Sequence, residues 1–171
     1  MMFGFGKKAA IRQRAIQEVR VLRHFCEGQR QVDAAAFWSD PYLVGFAHGV
    51  VGAITSPLTG TRLSETAKAR IWLEAVQVNG GDIAAIGGFM ARHAEDEAFQ
   101  RGMAQGIDVR LLEFGAIPSQ GYTEDIRWAV ERGPIVQEEI VALDQRPIDE
   151  KAAASIALMT RYLQRHLHDA I

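Results

Sequence analysis

Cysteine is all but missing from this chain: Cys26 is the only one in 171 residues. A lone thiol excludes an intrachain disulfide and any multi-cysteine zinc site. It also makes a reducing, cytoplasmic setting the default expectation. Equally missing is a run long enough for a bilayer. The most apolar stretch, Tyr42 to Thr55, covers about 14 residues, whereas a transmembrane helix needs roughly 20. The opening MMFGFGKK places its charges behind two Phe residues and lacks the long apolar run of a secretory signal. Strong net charge is absent too, at −2, so the whole chain is neither a polyanion binder nor unusually acidic. No Walker loop, dinucleotide fingerprint or nucleophile elbow occurs, and Gly4-Phe-Gly6 has no strand before it. With no motif that specifies a reaction or a cofactor, the expectation leans away from an enzyme.

What is present is a regular alternation of helical stripes and capped turns. The apolar fraction is 48% and the charged fraction 23%, ordinary for a globular protein. A chain of this length suits one domain with a sizeable core. The sequence therefore predicts an all-α fold: a single-domain bundle of six or seven helices over residues 1–171, with 1–8 as a candidate N-terminal arm. Abundant Ala, and Arg in excess of Lys, fit a GC-rich bacterial genome.

The segment YLVGFAHGVVGAIT is apolar on every side, which marks a buried helix. Ser39-Asp40-Pro41 supplies a cap and a proline at the first helical position, and Ser56-Pro57 ends the run. The bundle is thus expected to form around a central helix at about 41–55. Gly45, Gly49 and Gly52 share one side of it. A second patch of small residues, Ala84, Ala85, Gly87 and Gly88, is expected to face them, within the chain or across a dimer. That makes the Ile83 helix the expected close neighbour.

Around this core the pattern continues. Ala9 to Arg30 reads as an amphipathic helix with Ile11, Ala15, Val19, Leu22 and Cys26 inward. Asp33, Ser64, Asp82, Thr123 and Asp149 are placed to cap helices. Pro134 starts or kinks another, and Gly102 and Gly106 read as weakening a helix end. In the last helix the stripe is Ala152, Ile156, Met159, Leu163, His166 and Ala170. Leu158, Tyr162 and Leu167 are left over, as if to cover a partner.

Charge is unevenly placed. Residues 1–30 hold seven Lys/Arg against Glu18 and Glu27, a net +5, which leaves −7 for the remainder. The simplest reading is a basic face complementing an acidic body or partner. A membrane-surface anchor using Phe3, Phe5, Lys7 and Lys8 is an alternative. A lone basic helix without interleaved aromatics argues against nucleic acid.

Candidate site residues follow the helical periods. On the Ile83 helix the stripe Ile83, Ile86, Met90 continues to His93 and Glu97, which are four apart and share a face if the helix is unbroken. Imidazole with carboxylate suits a divalent metal or an activated His. His48 lies on the central helix beside Val44 and Val51. If it meets His93 across the facing glycines, then His48, His93 and Glu97 make three potential ligands. The leading functional expectation is a non-enzymatic interaction or regulatory protein acting as a homo-oligomer or with a protein partner. The alternative is a small-molecule or metal-binding protein with its site near those three residues. A peripheral membrane adaptor is the third reading.

Overall fold

The computed structural model describes residues 3–30, 32–116, 123–132 and 148–169. Among them are eight α-helices, one 3₁₀ turn at Pro57–Thr59 and no strand, so the fold is all-α. The helices are α1 (Phe3–Arg30), α2 (Ala34–Ser39), α3 (Pro41–Ile54), α4 (Glu65–Val78), α5 (Ile83–His93), α6 (Glu97–Glu113), α7 (Glu124–Arg132) and α8 (Ile148–Asp169). The chain divides into two compact units, Met1–Ala104 and Gln105–Ile171. The expected helix after Pro134 lies outside the described residues.

Capping chemistry sets most helix starts. Asp33 accepts from the Ala36 N–H, Asp40 from Leu43, Ser64 from Ala67, Asp82 from Ala84 and Thr123 from Ile126. Each bond satisfies one of the free N–H groups of a first turn. α4 ends where Asn79 is followed by Gly80 at φ 82°, a left-handed backbone that favours glycine. α8 begins at Ile148, so Asp149 sits within its first turn rather than before it.

In the first unit α3 is enclosed. Phe46 and Val50 are 1% and 0% exposed, and only His48 and Gly52 beyond the first turn reach the surface. Ile11, Ala15, Val19, Leu22 and Cys26 of α1 are buried as the stripe predicts, with Phe37 and Trp38 of α2 and Ile71, Trp72, Ala75 and Val76 of α4. At the end of α4 Val76 is buried, whereas Val78 is 49% exposed. A buried polar clamp ties three of these helices. The Asn79 side chain donates to the carbonyls of Ile16 (3.2 Å) and Ala75 (2.8 Å), while Trp38 Nε1 donates to the Asn79 carbonyl (3.0 Å). The Cys26 thiol is pushed up to about 12 by burial, which makes it an inert filler.

The glycines of α3 do not face α5. A Cβ on Gly45 would collide with the Phe99 carbonyl, and one on Gly49 with the Met103 carbonyl. Reciprocally, a Cβ on Gly102 would strike the Tyr42 carbonyl. The neighbour is thus the first half of α6, lying backbone against backbone. Both glycine contacts advance by one turn in the same sense, 45 to 49 against 99 to 103, so the two helices run in the same direction there. Gly102, read from sequence as weakening a helix end, is a contact position in a helix that continues through Gly106 to Glu113. Gly87 meets nothing within 4 Å and Gly88 only its own Arg92 side chain. α5 packs on α4 and buries Ile86 alone.

The second unit has its own core. Val109 and Leu112 of α6, Ile126 and Ala129 of α7, and Ala154, Leu158, Met159, Tyr162, Leu163 and Leu167 of α8 are buried. Ser155 Oγ donates to the Val109 carbonyl at 2.8 Å. Leu158, Tyr162 and Leu167, set aside in the sequence as a surplus for a partner, are therefore internal, and Ile156 of the expected inward stripe is exposed. The apolar band of α8 is broad enough to permit either face, and packing selects the one centred on Leu158.

Gly49→Ala should lower stability by roughly 1–3 kcal/mol or more, since the colliding atom is backbone and cannot rotate away. Gly87→Ala, in open space, should raise stability by up to about 1 kcal/mol through helix propensity. Urea-unfolding midpoints of the two variants check this opposite behaviour.

Candidate functional site

Rings in contact run through the first unit. Phe37 meets Trp38 at 5.0 Å between centroids, Trp38 meets Trp72 at 6.1 Å, and Trp72 meets His48 at 5.0 Å, all edge to face. Phe99 stacks on His48 at 6.5 Å between centroids. Edge-to-face and offset rings are the favoured aromatic geometries. The sequence spreads these residues over α2, α3, α4 and α6, and only the tertiary fold lines them up.

At the end of this chain of rings opens a cleft of about 340 Å³, lined by His48, Val51, Gly52, Thr55, Glu65, Lys68, Ala69 and Trp72. The floor comes from α3 and one wall from the first two turns of α4. Its width depends on small residues. Gly52 has no atom within 4 Å of where a Cβ would stand, and Ala69 faces it from α4. At the rim Lys68 Nζ donates to Glu65 Oε1 at 2.7 Å, with the Glu65 side chain 88% exposed. The Thr55 hydroxyl donates back into its own helix, to the carbonyls of Val51 (2.9 Å) and Gly52 (3.2 Å).

His48 sets the electrostatics. Burial holds its imidazole below the ordinary value, so the ring is neutral at pH 7. Among the described residues its Nδ1 is enclosed without a hydrogen-bond partner, and so is Nε1 of Trp72, the ring against it. An unpaired buried polar atom costs about 1–3 kcal/mol, and here two such atoms belong to rings whose centroids are 5.0 Å apart. A buried neutral His bonded to a carbonyl is the ordinary arrangement; this one departs from it.

The other two expected site residues go elsewhere. The helix carrying His93 is not continuous to Glu97: α5 ends at His93 and α6 starts at Glu97. Asp96 makes the break. Its Oδ1 accepts from the Ala98 N–H (2.9 Å), its carbonyl accepts from Gln100 (2.9 Å), and its Oδ2 lies 3.2 Å from His93 Nδ1. The Ala98 bond first, and then His93, hold the Asp96 carboxyl below the usual range. The Glu97 side chain is 94% exposed and lies 3.9 Å from Arg101. Hence His93 pairs with Asp96 rather than Glu97, and its ring packs on Phe89 at 4.4 Å. Among the described residues no group of three His, Cys, Asp or Glu side chains is placed to hold a metal ion, so His48, His93 and Glu97 are not a joint ligand set. Asp96-Glu97, a capping residue followed by an acidic first turn, is the signal in the sequence for this break.

Trp72, Lys68 and Gly52, which shape the cleft, carry no motif of their own; Trp72 reads as one more inward residue of α4. On α1, Lys7 and Lys8 are exposed, while the side chains of Phe3 and Phe5 lie outside the described residues. Arg12 of the same helix clasps Glu74 of α4 through Nε and Nη2, which holds the Glu74 carboxyl below the usual range. No helix among the described residues is long and apolar enough to cross a membrane.

The buried neutral His48 links stability to pH. Unfolded, the imidazole takes up a proton near its ordinary 6.5; folded, it resists until a lower pH. The stability present above 6.5 is therefore lost as pH falls from 6.5 toward the folded value, because only the unfolded chain binds the extra proton. Urea unfolding from pH 7.5 to 5 should show a falling free energy, and His48→Phe should flatten the slope between pH 6.5 and 5. An unchanged slope would place the titration on another group.

Comparison of the chain with protein-family models, with curated proteins and with solved structures gives no significant match.

Proposed function

We propose that this is a small-molecule-binding helical protein whose site is the His48 cleft. The observation that carries the reading is the convergence, on one cleft, of a neutral imidazole, an indole and an ammonium around an apolar floor. Ligand pockets are mostly apolar concavities of about 300–1,000 Å³ with a few placed polar groups. The chemistry favours an apolar, preferably aromatic, molecule bearing one carboxylate. Its ring would lie against Trp72 and His48, and its carboxylate would take Lys68 from Glu65. That exchange is inexpensive, because an exposed pair of this kind holds by less than about 1 kcal/mol. Binding rather than catalysis is favoured because the one hydroxyl in the cleft, on Thr55, gives its proton to its own helix. The inert buried thiol of Cys26 suits a reducing cytoplasm.

A second reading is supported by α5. Its sequence is IAAIGGFMARH, yet Ile83, Ala84, Ala85, Gly87, Gly88 and Ala91 are exposed. With Leu158, Tyr162 and Leu167 inside the second unit, self-association through this helix is what sustains the interaction reading. The occupant proposed is a second copy of the chain. Small side chains let two α5 helices approach closely, and an antiparallel two-fold pairing sets Asp82 of each against Arg92 of the other.

Two experiments separate these readings. Tryptophan-fluorescence titration with benzoate should give a saturable change in the native chain. The change should be lost in Gly52→Leu, which plugs the cleft from open space without touching the core, and weakened in Lys68→Met. No saturable response, or an undiminished one in Gly52→Leu, contradicts the ligand reading. For α5, the mass in solution should be twice 18.9 kDa and fall to the monomer in Ala84→Arg. A monomer at every concentration contradicts the second.

A further inference from the structure

The second unit holds a cluster of side chains that the His48 cleft does not explain. A separate cleft of about 290 Å³ is lined by Trp128 of α7 and by Arg161, Gln164, Arg165 and His168 of α8. The α8 residues stand at positions i, i+3, i+4 and i+7, so they share one face of that helix. Asp125, at the start of α7, organises the two guanidinium groups. Its Oδ1 accepts from Arg161 Nε at 2.6 Å and its Oδ2 from Arg165 Nη1 at 2.7 Å. The Arg161 guanidinium also lies over the Trp128 ring, 4.4 Å from its centroid, a geometry that favours the cation.

Cations in the last turns of a helix are ordinary, since they complement its dipole. That accounts for basic residues here, but not for their convergence. Two guanidinium groups share a single carboxylate, so the Asp125, Arg161 and Arg165 cluster keeps a net charge of +1. Each Arg has five N–H donors, and Asp125 engages one nitrogen of each. Among the described residues the Nη groups of Arg161 and the Nε and second Nη of Arg165 make no further hydrogen bond, and Asp125 holds the groups that carry them in place. Asp125 and Arg161 are each only 17% exposed, whereas Arg165 is 52% exposed. This is a half-neutralised, pre-oriented pair of guanidinium forks beside an aromatic ring and an amide.

We propose that this cleft binds the phosphate group of a small soluble molecule. Guanidinium forks match phosphate oxygens two at a time. Two forks together with the Gln164 amide offer more donors than one carboxylate of a ligand accepts, which favours phosphate. The cleft is also larger than a bare ion needs, so it has space for a small organic group beside Trp128. Asp125 serves as a positioning residue: it fixes the forks while withdrawing half of their charge, which keeps the site from closing on itself.

Isothermal titration with inorganic phosphate, at ionic strength fixed with sodium chloride, tests this on the full chain. The expected result is saturable binding, weakened at least tenfold in Arg165→Gln, whose half-exposed side chain can be replaced without loss of the fold. Arg165→Lys should recover part of the affinity, because it keeps the charge but not the fork. A parallel arm uses phosphatidylcholine vesicles containing phosphatidic acid. Absence of saturable phosphate binding, equal binding by Arg165→Gln, or binding to the vesicles without any response to free phosphate would each overturn the proposal. A circular-dichroism melt of Arg165→Gln that matches the native chain confirms that the loss is not unfolding.

Discussion

The first unit depends on two helix backbones lying closer than side chains allow. At Gly45, Gly49 and Gly102 no Cβ intervenes between α3 and the first half of α6, and carbonyl oxygens of one helix sit where the other would carry a methyl group. Glycine inside a helix costs about 1 kcal/mol relative to Ala. The close approach offsets this through dispersion contacts and Cα–H···O interactions over two turns. The contact also sets the rotation of α3, and so decides which residues of an entirely apolar helix meet which neighbours.

That rotation positions the His48 cleft. With Gly45 and Gly49 against α6, His48 is brought into contact with both Phe99 and Trp72, and Gly52, one turn on, is left at the surface. Three glycines on one side of one helix therefore do two different things. Two are filled by a neighbouring backbone, and the third keeps a cleft open. The neutrality of His48 follows from the same enclosure, since the rings around it remove water and supply no partner for Nδ1.

Much of this was legible in the sequence where the physics is local. Asp33, Asp40, Ser64, Asp82 and Thr123 were readable as caps because a capping bond spans two or three residues. The enclosure of α3 was readable because a helix without a polar face has nowhere else to go. What could not be read was long-range. Glycines announce a close approach but do not name the partner, and two patches of small residues suggested each other when the true partner was the backbone at Phe99 and Met103. The broad apolar band of α8 hid which face would turn inward. The break between His93 and Glu97 was different, because Asp96-Glu97 carried the signal and the persistence of the apolar stripe outweighed it. Of the expected site residues, His48 stands at a cleft, while His93 and Glu97 belong to a helix junction.

The backbone pairing of α3 with α6 is tested most directly by nuclear Overhauser contacts between α-protons. Strong cross-peaks from Gly45 to Phe99 and from Gly49 to Met103 are the result this account predicts. Cross-peaks from Gly45 and Gly49 to Gly87 and Gly88 instead would contradict it, and would remove the reason His48 stands where it does.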